Sequence, residues 1–238
     1  MKRLLLFLMG LFVYHTAAAI VYTADENDVF SGNYGFITVG NTNHKLKGVA
    51  VSSYPKDKDE EIGSLDSIND GTVYTKLAAN DVINSNNAKF MIATPPEVMC
   101  EGKLSIKKAY LSWGGRSKNA LRGKVHVKLT AVNDKKVAGE EDITATPVEK
   151  QLYGKVELEM YLCHADVTDF VNRAYQSTND SVFVISVANL QTDLEDNLAT
   201  QATSIGLFSG WTFTVVYEHS GLPERTIMYY APDVLVDV

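Results

Sequence analysis

The side chains that could do chemistry are few, and their spacing decides most of them. Cys163 and His164 are adjacent, which offers a thiol beside an imidazole base. Neighbours along a strand point to opposite faces, so the pair could not share a proton there. Glu157 and Glu159 fall on one face of a strand. Paired carboxylates can hydrolyse glycosides, but Glu alternating with apolar residues is also the pattern of a solvated strand face. His44, His126, His164 and His219 form no H-E-x-x-H motif, and the chain carries no G-x-S-x-G elbow or glycine-rich phosphate loop. Trp113 and Trp211 could stack on sugars, yet each lies inside an apolar run and is expected to pack in the core.

The stretch PKDKDEEIGSLDSINDG (55–71) is acidic and turn-rich, and it reads as a surface loop. Its Asp57, Asp59, Asp66 and Asp70 are the candidates for binding Ca²⁺, the only cofactor the chain suggests. The spacing is not that of an EF-hand, and Lys56 and Lys58 dilute the charge. Asn179-Asp180-Ser181 matches the N-glycosylation acceptor pattern. No catalytic residue and no ligand-binding residue stands out beyond these.

The first nineteen residues are expected to be a leader rather than part of the fold. Lys2 and Arg3 precede the apolar run Leu4–Val13, and Ala17-Ala18-Ala19 supplies a small-residue cleavage site. This is the layout of a secretory signal peptide, cut after Ala19. The run is too short to span a bilayer, which needs about 20 apolar residues. No later segment is apolar enough to span one as a helix. The expected location is therefore outside the cytoplasm: secreted, at the cell surface or in the periplasm.

The 238 residues carry a formal net charge of −7. Loss of Lys2 and Arg3 makes the mature chain more acidic still. That balance argues against nucleic acid as a partner, because phosphate backbones are bound by Lys and Arg. Export also bears on the only two cysteines, Cys100 and Cys163. An even count in an oxidising compartment favours a disulfide, with two buried thiols as the alternative. A loop of that length closed by a bridge gains about 4 kcal/mol in the chain-entropy account.

These residues must be positioned by strands. With 45% hydrophobic residues, the chain has enough apolar content for a core. In Lys124–Ala131, Val125, Val127 and Leu129 alternate with His126, Lys128 and Thr130. Lys155–Leu162 alternates in the same way, and a period of two predicts half-buried strands. Ser105–Trp113, Ser181–Asn189 and Trp211–Glu218 are richer in β-branched and aromatic residues and read as central strands. Leu222-Pro223 predicts a hairpin between Trp211–Glu218 and Arg225–Tyr230. One helix is expected, since Val167, Phe170, Val171, Ala174 and Tyr175 recur at helical spacing behind an Asp166 N-cap. Residues 21–87 read as loops with short strands. The fold class is all-β: an antiparallel, jelly-roll-like β-sandwich with one short helix, forming a single domain over 20–238.

Four segments carry a family resemblance. They are FSGNYGFITVGNT (Phe30–Thr42), CEGKLSIKKAYLSWGG (Cys100–Gly115), YLCHADVTDFV (Tyr161–Val171) and SGWTFTVVYEHSGLPERTIMYY (Ser209–Tyr230). In order and spacing they resemble the N-terminal β-domain of gliding-motility-associated and adhesin-like bacterial surface proteins. The resemblance implies a non-catalytic module with an adhesion or surface-structural role. Its partner would be a surface glycan or a protein ligand. It also implies the Cys100–Cys163 bridge, because both fall on the family's cysteine positions. Family members usually run on for hundreds of residues, so a domain truncated at its C-terminus is a further expectation. The alternative reading is a carbohydrate-binding module or a glycoside hydrolase using Glu157 and Glu159.

Overall fold

The structure, a computed structural model, describes residues 28–46, 65–70, 74–92, 104–117, 119–152, 158–194 and 208–230. The leader, Asp57, Asp59, Cys100 and Glu157 lie outside the described residues.

Thirteen strands and one helix make up the described fold. The strands are β1 (Val29–Gly32), β2 (Tyr34–Asn41), β3 (His44–Leu46), β4 (Leu65–Ser67), β5 (Ser85–Met91), β6 (Ser105–Arg116) and β7 (Lys124–Ala131). They continue as β8 (Lys136–Thr144), β9 (Val148–Leu152), β10 (Leu158–Asp166), β11 (Val182–Ala188), β12 (Ser209–Glu218) and β13 (Arg225–Met228). Helix α1 spans Thr168–Gln176. One antiparallel sheet has the order β2-β12-β6-β10-β9, a second has the order β5-β11-β7-β8, and two ribbons pair β1 with β13 and β3 with β4. The two larger sheets form a sandwich.

Alternation along the strands builds the core. Ala109, Leu111 and Trp113 of β6 and Trp211, Phe213 and Val215 of β12 face inward from the five-stranded sheet. They meet Val125, Val127 and Leu129 of β7 and Phe183, Ile185 and Val187 of β11. Every second residue therefore faces the core, which is why these runs read as strands. Trp113 and Trp211 are 1% and 2% exposed, so both pack in the core as expected.

Helix α1 closes one end of the sandwich with Phe170, Val171 and Ala174. Its start is tied to β6: Val167 N–H donates to the Ala109 carbonyl at 2.8 Å, and Ala109 N–H donates to Thr168 Oγ1 at 3.0 Å. The N-cap position is Val167, but Asp166 does the capping chemistry, since its Oδ1 accepts from Thr168 N–H at 2.9 Å. The helix lies so close to β8 that a Cβ on Gly139 would sit 2.8 Å from the Phe170 ring.

Two expectations change. The turn at Leu222-Pro223 exists, but β12 and β13 do not form a hairpin. β12 pairs with β2 and β6, while β13 leaves that sheet and pairs with β1. β12 is paired on both edges, so the chain after the turn must find a partner elsewhere. The acidic stretch read as a surface loop holds a strand in its second half, where β4 pairs with β3 and buries Leu65.

Candidate ligand cleft on the four-stranded sheet

The outer face of the four-stranded sheet collects charge. The same alternation that buries Val125 and Val127 turns Lys124, His126 and Lys128 of β7 outward. The β7–β8 register then sets Asp142 opposite His126 and Glu140 opposite Lys128. His126 Nδ1 lies 2.6 Å from Asp142 Oδ1, and Nε2 lies 3.1 Å from Glu140 Oε1. Lys124 Nζ pairs with Asp142 Oδ2 at 2.6 Å.

The segment Tyr74–Lys76 crosses this face and is fastened to Glu140. Thr75 Oγ1 donates to Glu140 Oε2 at 2.5 Å, and Lys76 N–H donates to Oε1 at 2.8 Å. Lys76 Nζ donates to the Glu140 carbonyl. The Tyr74 ring meets His126 edge-on at 5.2 Å, and Lys128 Nζ sits 4.7 Å from the Tyr74 ring centroid. His126, Lys128, Glu140 and Tyr74 are all buried. The Tyr74 hydroxyl has no hydrogen-bond partner among the described residues.

Burial and pairing set the ionisation of these groups in opposite directions. Burial alone would push the Glu140 carboxyl up, but hydrogen bonds from Thr75, Lys76 and His126 together hold it below the usual range. Asp142 is likewise held low, with Lys124 and His126 outweighing burial. Burial pushes the Lys128 ammonium down against the pull of Glu140 and Asp70. The Tyr74 phenol is pushed up by burial, then by Asp70 and Glu140.

Beside this network opens a cleft of about 410 Å³, with His126 and Asp142 in its wall. Its lips are aliphatic: Ile83 is 53% exposed and Leu121 is 60% exposed. Each lip is held by an asparagine. Asn189 Oδ1 accepts from Ile83 N–H at 2.9 Å, and Asn119 Oδ1 accepts from Leu121 N–H at 2.8 Å. Asn189 adopts φ 64°, a left-handed conformation that Asn tolerates better than most residues. A second cleft of about 380 Å³ lies between β6, β8 and the start of α1. Ion pairs neutralise its rim, with Lys108–Asp166 at 2.7 Å and Arg173–Glu141 at 2.9 Å.

The residues singled out by sequence fall elsewhere. Cys163 points into the core while His164 faces outward, where its Nδ1 lies 2.9 Å from Ser112 Oγ. The two do not face each other, as strand geometry required. Cys100 lies outside the described residues, so the pairing of Cys163 rests on the sequence argument. Of the Ca²⁺ candidates, Asp66 stands opposite Lys45 in the β3–β4 ribbon. Asp70 accepts from Ser85 Oγ at 3.0 Å and from Asn87 Nδ2. Among the described residues no three His, Cys, Asp or Glu side chains gather as metal ligands. Glu159 stands opposite Gln151 in the β10–β9 ladder. Asp180, inside the glycosylation pattern, is buried and accepts from Val182 N–H and Asn133 Nδ2, both at 2.8 Å.

Tyr74, Ile83, Leu121, Glu140 and Asp142 were not singled out from sequence. The polar face of Lys124–Ala131 was legible. The hairpin that follows it, Asn133 to Lys135 and then β8, was the signal that would have placed Glu140 and Asp142 opposite that face. No protein-family model matches the chain, and no curated protein matches it significantly.

Proposed function

We propose that the chain is a secreted or cell-surface β-sandwich module with an adhesion or surface-structural role, acting by binding rather than catalysis. The observation that carries this reading is the cleft with aliphatic lips on the four-stranded sheet. Exposed aliphatic side chains held in place beside convergent polar groups suit recognition. Both ring nitrogens of His126 are taken up by fixed carboxylates, so the imidazole has neither to offer a substrate. The resemblance to gliding-motility-associated and adhesin-like surface proteins points the same way. The acidic balance of the chain favours a surface glycan or a protein over nucleic acid. Among the described residues no helix is long and apolar enough to cross a membrane.

In this reading the leader ends at Ala19, and a Cys100–Cys163 bridge braces the sandwich by tying the segment before β6 to β10. Intact mass before and after reduction checks the bridge: a gain of two hydrogen atoms, the two electrons and two protons delivered by the reductant, is expected. Two thiols that alkylate freely in the unreduced, denatured protein would contradict it. The functional test is retention of the exported chain on glycan and peptide arrays, with and without Ca²⁺. Ca²⁺ is varied because Asp57, Asp59, Asp66 and Asp70 could ligate it weakly. Saturable retention without turnover is expected. Hydrolysed glycan, or no retention on either array, would overturn the proposal.

A further inference from the structure

The chemistry of the cleft narrows the class of ligand. We infer that it takes an extended peptide segment presenting an aliphatic side chain next to a cationic one. This rests on the binding-module reading and makes it specific.

Three observations carry it. First, the space of about 410 Å³ suits one or two side chains, and among the described residues no Trp, Tyr or Phe lines it; its one ring, the His126 imidazole, is held between Asp142 and Glu140. A sugar face stacks best on a broad Trp, Tyr or Phe ring, and Ile83, Leu121 and Leu77 offer none. An aliphatic side chain gains by burial against these same lips. Second, the spare polar groups match a peptide backbone. The Oδ1 atoms of Asn119 and Asn189 are spent on the lips, leaving both Nδ2 groups to donate. Gln191 donates its Nε2 to the Asn189 carbonyl, leaving Oε1 to accept. A peptide offers one carbonyl and one N–H per residue in reach of such groups. Third, the charge is unbalanced. Asp142 is paired with Lys124 and His126, whereas Asp81 on the rim has no cation partner among the described residues. An incoming Lys or Arg would meet that carboxylate, within a chain whose net charge is −7.

The test is an immobilised array of decapeptides probed with the labelled full mature chain. One set carries Leu, Ile or Val beside Lys or Arg. In a second set Glu replaces the cation, and in a third Ser replaces the aliphatic residue. The first set is expected to retain about tenfold more chain than the other two. The double variant Ile83→Ser/Leu121→Ser should lower retention by about tenfold, with an unfolding midpoint equal to the parent's. Asp81→Asn should keep the aliphatic preference and lose the preference for Lys over Glu, a change of about threefold for an exposed ion pair. Equal retention across the sets, or a double variant that binds like the parent, overturns the inference. Retention by a glycan array alone also overturns it and leaves the binding module standing. Retention by neither removes both.

Discussion

The outer faces of the two large sheets are covered in different ways. On the five-stranded sheet, Tyr110, Ser112 and His164 lie under Tyr229, which follows the β1–β13 ribbon. Tyr229 stacks on Tyr110 at 4.2 Å with an interplanar angle of 6°, and His164 packs against both rings. Thr38 and Thr214 hydroxyls meet at 2.9 Å beside them. On the four-stranded sheet the cover is the Tyr74–Lys76 segment, held by directed bonds to Glu140. Stacked rings seal a surface by area and tolerate small displacements. Paired charges hold only the atoms they pair, so the surface beside them stays open. The cleft with Ile83 and Leu121 at its lips lies beside the second cover, with His126 and Asp142 in its wall.

Substitutions at the two covers should separate them. Glu140→Ala removes the anchor of the segment and leaves Lys128, His126 and two donors without their carboxylate. A loss of about 3 kcal/mol in unfolding free energy is expected, measured by urea denaturation. A loss under about 1 kcal/mol would mean that the network does not hold the cover.

Acid should act in two windows. Burial lowers His44, whose Nδ1 lies 2.6 Å from Ser209 Oγ, to about 4. The folded state therefore favours the neutral ring, and stability present above the unfolded value near 6.5 is lost as pH falls towards 4. About 2 kcal/mol should go between pH 7 and pH 5, and His44→Gln should abolish that slope. Glu140 and Asp142, held low in the fold, contribute stability above about pH 4.5, lost as pH falls through their folded values. Glu140→Gln should shrink the second window, leaving the part that Asp142 carries, and leave the first unchanged.

Smaller effects belong to the sealed face and the lips. Tyr229→Ala should remove about 1–2 kcal/mol, since it takes away one ring of a stack whose other members remain packed. Ile83→Ser and Leu121→Ser should change stability by no more than about 0.5 kcal/mol each, because both side chains already face water. A larger loss would show that the lips serve packing rather than recognition.

Strand identity was the legible part of the fold. In β7 the alternation of Val125, Val127 and Leu129 with polar residues marked both the core face and the charged face. The helix was legible because Phe170, Val171 and Ala174 recur at its period. β8 was harder, since Gly139 sits where an apolar residue would mark the inner face; the Phe170 ring fills that place instead. The course of β13 was not legible at all. A turn at Leu222-Pro223 says that the chain reverses, not which edge is vacant. The cleft was equally hidden. Ile83, Leu121, His126 and Asn189 come from four separate stretches, and their convergence is a product of sheet order rather than of any local pattern.

The central claim is that recognition belongs to the open face and not to the sealed one. Retention of the chain on its best array partner, compared between Ile83→Ser/Leu121→Ser and Tyr229→Ala, tests it directly. The account predicts that the lip variant loses retention while the Tyr229 variant keeps it at temperatures where both are folded. Loss of retention in the Tyr229 variant with retention kept in the lip variant would contradict it.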